Sequence, residues 1–309
     1  MSHPPASIDA PRVPRSSLPG APVDRMVDVG GLVRFLDYEG PGERTFVLVH
    51  GLGGASVNWV AVAPALSAHG RVLALDLPGF GRSPWRRGEA TLDRMRTTLG
   101  RFIRTMSPGP VVLVGNSMGG MLAMLQAAAE PSTVSRLVLA CPALLGAPLG
   151  SHDRGVTSLF ALTSAPLLGP WFSARQRLRV SAEQSVDQML RLCGVRPDQL
   201  DPAVLAAHHA IARERFIMEW SIPAYVEASR SLLARLLTRG RQVGEAIDRV
   251  QAPTLLLQGE RDRLVLPRMS AAVARRRPDW QHVVLPATGH VPMLQNPSDF
   301  VERVLSFVG

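Results

Sequence analysis

The chain has 309 residues, 46% hydrophobic and 19% charged, which suffices for one large domain or for a domain carrying a sizeable insertion. Its net charge is +9, yet all 34 basic residues are arginine, and the lack of lysine excludes Walker-type nucleotide sites, Schiff-base enzymes and Ser-Lys dyads. The arginines are scattered, the runs Arg86-Arg87 and Arg275-Arg276-Arg277 lack interleaved aromatics, and no apolar run approaches the roughly 20 residues that span a bilayer. No nucleic-acid partner and no transmembrane segment are therefore expected; the basic surface leaves some attraction for anionic substrates.

Residues 1–25 are rich in Pro and Ser and lack an apolar h-region, so they predict a flexible arm and a cytoplasmic protein without a signal peptide. Residues 26–37 read as two antiparallel strands about the Gly30-Gly31 turn. Residues 46–50 form a buried strand before a Gly-rich loop, and 72–75 the next strand, ending at Asp76. A helix is predicted over 91–106, with Leu92, Met95, Leu99 and Phe102 on one side. A strand over 110–114, a helix over 118–130 that stops at Pro131, and a strand over 134–141 follow. From 142 to 250 no convincing strand occurs, and the clearest helices cover 203–220 and 223–238, each set off by a proline, Pro202 or Pro223. Alternation then resumes with a strand over 253–258, a helix over 266–276, a strand over 282–285 and a helix over 297–308. The pattern predicts an α/β fold, a mostly parallel sheet flanked by helices, with 26–141 and 251–309 as core and 142–250 as a helical insertion.

Gly115-Asn116-Ser117-Met118-Gly119 joins an apolar strand to a helix. G-x-S-x-G suits that place because a serine on a tight turn presents Oγ at the sheet edge, while the glycines let neighbouring backbone pass closely. Composition alone yields roughly 0.1–0.2 matches in this length, so the strand-to-helix context carries the assignment. Ser117 is thus the candidate nucleophile, and the Met118 amide, at a helix N-terminus, a candidate oxyanion donor.

A serine hydroxyl needs a base, and the base needs an orienting acid. Asp262 lies in the loop after the strand at 253–258, and His290 in the loop after the strand at 282–285. Both loops fall at the same carboxyl edge as the serine turn. Glu260 competes for the acid role, and His282 for the base, although His282 begins its strand and belongs at the opposite edge. His50-Gly51-Leu52-Gly53-Gly54 follows a buried strand and can supply a second oxyanion amide, that of Leu52, with His50 bracing the turn.

HGLGG (50–54), DLPGFGRS (76–83), GNSMGG (115–120), LQGERD (257–262) and GHVPMLQNP (289–297) resemble, in order, the motifs of the α/β-hydrolase superfamily. The resemblance spans most of the chain and implies a catalytic triad of Ser117, Asp262 and His290, with the insertion as a helical cap. Serine in place of the aspartate of dehalogenases and epoxide hydrolases argues against an alkyl-enzyme. GNSMGG resembles the elbow of carbon–carbon hydrolases of meta-cleavage products, but that group carries a proline in the oxyanion loop and a tryptophan after the histidine, where this chain has HGLGG and Val291. The resemblance implies a carboxylesterase or lipase-like serine hydrolase for small to medium, largely apolar esters. The alternatives are a carbon–carbon hydrolase, an acyltransferase on the same triad and a receptor-like binding protein that retains it. Aromatic residues of the insertion, Trp171, Phe172, Phe216, Trp220 and Tyr225 among them, are candidates for an apolar pocket or for the insertion's own core.

No cofactor and no metal are expected. FVLVHGLGGAS mimics a dinucleotide fingerprint, but Ser56 stands where the third glycine or alanine belongs. Cys141 and Cys193 read as reduced thiols outside any metal-ligand spacing, and His208-His209, adjacent on a helix, point about 100° apart. The sequence gives no reading of oligomeric state.

Overall fold

The computed structural model describes residues 21–144, 175, 178–238 and 240–309. Its strands are β1 (Val23–Asp28), β2 (Leu32–Tyr38), β3 (Thr45–Val49), β4 (Arg71–Leu75), β5 (Val111–Asn116), β6 (Val134–Ala140), β7 (Thr254–Gly259) and β8 (Gln281–Leu285). They form one sheet in the order β1-β2-β4-β3-β5-β6-β7-β8. The predicted hairpin is present: Asp28 Oδ1 accepts the amides of Gly30 and Gly31 at 2.8 and 3.0 Å, and β1 pairs antiparallel with β2. β2 also runs antiparallel to β4, and every pairing from β4 through β8 is parallel. β3, β5 and β7 are buried along their whole length, as central parallel strands require, whereas β8 is half exposed at the edge.

The helices are α1 (Ala63–Ser67), α2 (Leu92–Met106), α3 (Met118–Ala129), α4 (Ala182–Leu192), α5 (Pro202–Ile217), α6 (Ser221–Thr238), α7 (Gly240–Arg249), α8 (Pro267–Arg276), α9 (Pro292–Gln295) and α10 (Pro297–Val308). Strand side chains alternate between faces and so divide the core in two. Val47, Val49, Leu113 and Leu139 pack with Met95 and Leu99 of α2, Met121 of α3 and Ile247 of α7. Phe46, Leu48, Val112 and Val114 face the other way, toward Leu66 of α1 and Phe300 and Val304 of α10.

Between β6 and β7 the described secondary structure is helical. α5 begins at Pro202, capped by Asp201 accepting the Ala203 amide at 2.7 Å, and ends at Ile217, three residues short of the predicted 220. α6 begins at Ser221, which puts Pro223 inside its first turn, where a missing N–H is harmless. The sequence reading did not separate α4, whose start is a capping box of Ser181 and Gln184, nor α7, which lies within the stretch read as insertion but packs against α3. The predicted arm falls almost wholly outside the described residues, as do Trp171 and Phe172.

The loops at the carboxyl edge are held by buried polar groups. Asp76 is fully buried; its Oδ1 accepts the Ser56 amide at 2.6 Å, and its Oδ2 accepts the Arg82 amide at 2.9 Å and Nη1 of Arg34 at 3.2 Å. Arg34, also buried, grips both oxygens of Asp24 at 2.7 Å. Gly81, at φ 52, sits so close to the Asp76 carboxyl that a Cβ there would overlap it, which explains the second glycine of DLPGFGRS. His50 clamps the same corner. Its Nε2 accepts the Leu77 amide at 3.0 Å, and its Nδ1 donates to Gly51 O at 2.7 Å, so the ring is neutral.

Two stability predictions follow from this corner. Asp76→Ala leaves Arg34 short of a buried partner and should lower unfolding stability by about 3–5 kcal/mol; removing the exposed Arg196–Asp198 pair should leave the midpoint of the same urea titration essentially unchanged. Burial, opposed only partly by the Asp76 charge, lowers the His50 pKa to about 4. The unfolded chain therefore takes up this proton at a higher pH than the native one. His50 then leaves stability untouched above its ordinary pKa of 6.5 and withdraws up to about 3 kcal/mol as pH falls toward 4. The stability gap between wild type and His50→Gln should narrow through that window; a gap that does not vary with pH would refute the assignment.

Candidate functional site

Ser117 occupies the turn from β5 into α3 with φ 55 and ψ −118, a conformation that L-residues rarely adopt and that tertiary contacts must hold. Its amide donates to Ala140 O at 3.1 Å, and its carbonyl accepts the amides of Met121 at 3.1 Å and Ala143 at 2.9 Å. Both motif glycines are sterically required: a Cβ on Gly115 would strike Gly119 O, and one on Gly119 would strike Val49 O. α3 thereby comes close against the end of β3. On that side a Cβ on Gly51 would lie 3.0 Å from the Ser117 Cβ, so the HGLGG loop lines the serine. The Met118 amide opens α3, in the first turn, where N–H groups have no intrahelical acceptor.

Asp262 and His290 meet at the same edge. His290 Nδ1 donates to Asp262 Oδ2 at 2.8 Å, with Asp262 2% and His290 5% exposed. The other carboxylate oxygen, Oδ1, accepts the amides of Leu264 at 2.9 Å and Val265 at 3.0 Å. Burial alone would push the Asp262 carboxyl up, but the neighbouring His290 and these hydrogen bonds outweigh it and hold the pKa below the ordinary carboxylate value. With Nδ1–H committed to the carboxylate, the free lone pair of the neutral ring lies on Nε2.

The backbone of His290 is held from two sides. Its carbonyl accepts Nδ2 of Asn116, the residue before the serine, at 3.0 Å, and its amide donates to Cys193 O at 2.9 Å, just beyond α4. The competitors lie elsewhere. Glu260 is exposed and accepts the Ala287 amide at 2.8 Å, while His282, near the start of β8, meets Ser270 Oγ at 3.2 Å. His209 pairs with Asp187 at 3.0 Å and His208 donates to Val204 O at 2.8 Å, both among the helices between β6 and β7.

The sequence reading passed over several groups at this edge. Asn116 is the variable position inside G-x-S-x-G, and nothing in the motif signals its tie to His290. Gln258, fully buried at the end of β7, donates from Nε2 to Asp262 Oδ2 at 3.2 Å and Val265 O at 3.0 Å. Cys141 follows β6 directly with φ 45, and its sulfur accepts the Gly259 amide at 3.4 Å. Burial, and then the Asp262 charge, push the Cys141 thiol well above its ordinary pKa. Tyr225 of α6 stands over the HGLGG loop, 3.4 Å from where a Cβ on Gly53 would be.

Relatives and solved structures agree with this architecture. The chain is 28% identical to a 2-hydroxy-6-oxo-6-(2'-aminophenyl)hexa-2,4-dienoic acid hydrolase of Metapseudomonas resinovorans, over 93% of its own length and 91% of the relative's. It is 28% identical to the mouse sn-1-specific diacylglycerol lipase ABHD11, over 85% of its own length and 80% of the relative's. The crystal structure of CarC, a serine hydrolase involved in carbazole degradation, superposes with a TM-score of 0.69 at 28% identity, covering 93% of this chain and 99% of that one. No described helix is long and apolar enough to cross a membrane. The family model for the alpha/beta hydrolase fold matches residues 44–297, and the chain, with its eight-stranded, mostly parallel sheet, belongs to that family of hydrolases.

Proposed function

We propose that the chain is a serine hydrolase that cleaves carboxylic esters of small to medium, largely apolar compounds through an acyl-enzyme on Ser117. The observation that carries this reading is the buried Asp262–His290 hydrogen bond of 2.8 Å at the sheet edge where the strained Ser117 turn stands. His290 Nε2 takes the hydroxyl proton as Ser117 attacks the acyl carbon, and the ionised Asp262 stabilises the imidazolium that forms. The amides of Met118 and Leu52 receive the oxyanion. The imidazolium then protonates the departing alcohol, and water, deprotonated in turn by His290, releases the acid. The helices between β6 and β7 act as the cap that shapes the acyl pocket, with Tyr225 against the oxyanion loop. The two unbridged cysteines fit a reducing compartment such as the cytoplasm.

A second reading, hydrolysis of a carbon–carbon bond in a 2-hydroxy-6-oxo-dienoate, draws support from the Metapseudomonas relative. The HGLGG loop and Val291 after the histidine count against it.

A panel of p-nitrophenyl esters from acetate to laurate tests the proposal. Wild type should hydrolyse at least one, with Ser117→Ala reducing kcat by about 10⁴–10⁶-fold. No turnover of any ester, with turnover of a 2-hydroxy-6-oxo-dienoate, would favour the second reading; full activity in Ser117→Ala would refute the nucleophile. Asp262→Asn, which favours the wrong imidazole tautomer, should lower kcat by about 10⁴-fold. Glu260→Gln should leave it within about threefold, since that carboxylate serves only a loop amide.

A further inference from the structure

The mechanism above leaves the Cys141 thiol unused, although it stands beside the acid–base pair. The Cys141 sulfur, a carboxylate oxygen of Asp262 and a ring nitrogen of His290 lie within 4.8 Å of one another, and all three residues are buried. They come from the ends of β6 and β7 and from the loop after β8, far apart in the chain, so sequence spacing could not reveal them as a ligand set. We propose that Cys141, Asp262 and His290 form a binding site for a thiophilic divalent cation of the zinc class, and that its occupancy switches the hydrolase off.

Thiolate, imidazole and carboxylate are the three donor types that zinc accepts. Donor atoms sharing one tetrahedral zinc sit about 3.3–3.6 Å apart, as follows from metal–ligand distances of about 2.0–2.3 Å. Convergence within 4.8 Å therefore needs an adjustment of about 1 Å, with the fourth position left to water. The second shell is built: the Gly259 amide donates to the sulfur at 3.4 Å, the amides of Leu264 and Val265 hold Asp262 Oδ1, and Gln258 Nε2 reaches Oδ2. The soft sulfur and the single carboxylate discriminate against magnesium and calcium, which select oxygen ligands.

Binding shuts down the base by a tautomer change. Without the cation, the ring proton sits on Nδ1, in the hydrogen bond to Asp262. A cation bridging Nδ1 and Oδ2 moves that proton to Nε2, while the thiol gives up its own proton to solvent, so each cation releases one proton. The ring then carries N–H on the nitrogen that would accept the Ser117 proton. This second half of the proposal rests on His290 being the base; the binding half does not.

Cadmium is the probe, because its bond to a thiolate absorbs in the ultraviolet. The full chain and its Cys141→Ser, Cys141→Ala and Cys193→Ala variants are titrated, with ester hydrolysis expressed relative to each variant's own metal-free rate. Wild type and Cys193→Ala should show one cadmium–thiolate absorption per chain with matching loss of activity. Both Cys141 variants should lose the absorption and need at least tenfold more cadmium for half-inhibition, and magnesium should neither absorb nor inhibit. Equal absorption or inhibition in the Cys141 variants, or loss of both in Cys193→Ala, overturns the site. No absorption in a wild type whose hydrolysis depends on Ser117 overturns the cation proposal and leaves the hydrolase reading standing. Absorption through Cys141 without loss of activity overturns the switch and leaves the hydrolase reading standing.

Discussion

Everything at the carboxyl edge depends on how closely α3 approaches the end of β3. The contact is backbone against backbone, Gly119 on the carbonyl of Val49, and no side chain fits between. That closeness forces the sharp reversal after β5 and leaves Ser117 with a φ of 55. Central parallel strands tolerate such local strain because their own pairing is complete and their faces are fully covered. The Ser117 carbonyl makes the point locally, accepting from Met121 and Ala143 on the far side of the turn and so fixing its conformation.

Charge does different work in different places. The scattered arginines that give the chain its net +9 meet carboxylates mostly at the surface, as Arg276 meets Asp248 and Arg213 meets Glu183, where water weakens each pair. The set around the buried Arg34 and Asp76 behaves otherwise. Asp24, Arg34, Asp76 and Arg82 form a continuous chain of hydrogen bonds linking the edge hairpin, the loop after β4 and, through the forked pair of Arg82 and Glu214, helix α5. Their value lies in geometry: each carboxylate oxygen is assigned to a particular loop amide or guanidinium, and the loops around the serine inherit that order.

Much of this was legible in the sequence. Short apolar strands bounded by glycine, proline and aspartate located the sheet, and residues whose roles are enforced by backbone geometry, such as the glycines about Ser117, announced themselves by type. Asp262 and His290 were readable because each sits in the loop after a strand, and parallel strands bring such loops to one edge. The rest was hidden for physical reasons. α4 and α7 cover only 11 and 10 positions, and α7 begins two positions after α6 ends, so no proline or long polar stretch marked them off from their surroundings. Asn116, Gln258 and Cys141 act through contacts with residues distant in the chain, and their types carry no local signature. The tie between His290 and the Cys193 carbonyl is a main-chain bond, which any residue at position 193 could make.

That last bond joins two parts of the molecule that topology keeps separate. The carbonyls of Cys193 and Gly194 receive the His290 amide and the Gln295 side chain, while Gln295 in turn receives the Gly289 amide. The segment after α4 is thus stitched to the histidine loop on both flanks of the imidazole. A displacement of the insertion large enough to part these bonds would free the histidine loop from its only described main-chain anchor outside the core. Moving the segment after α4 away from the sheet edge therefore means breaking bonds on both sides of His290, a residue that Asn116 and Asp262 hold from the core.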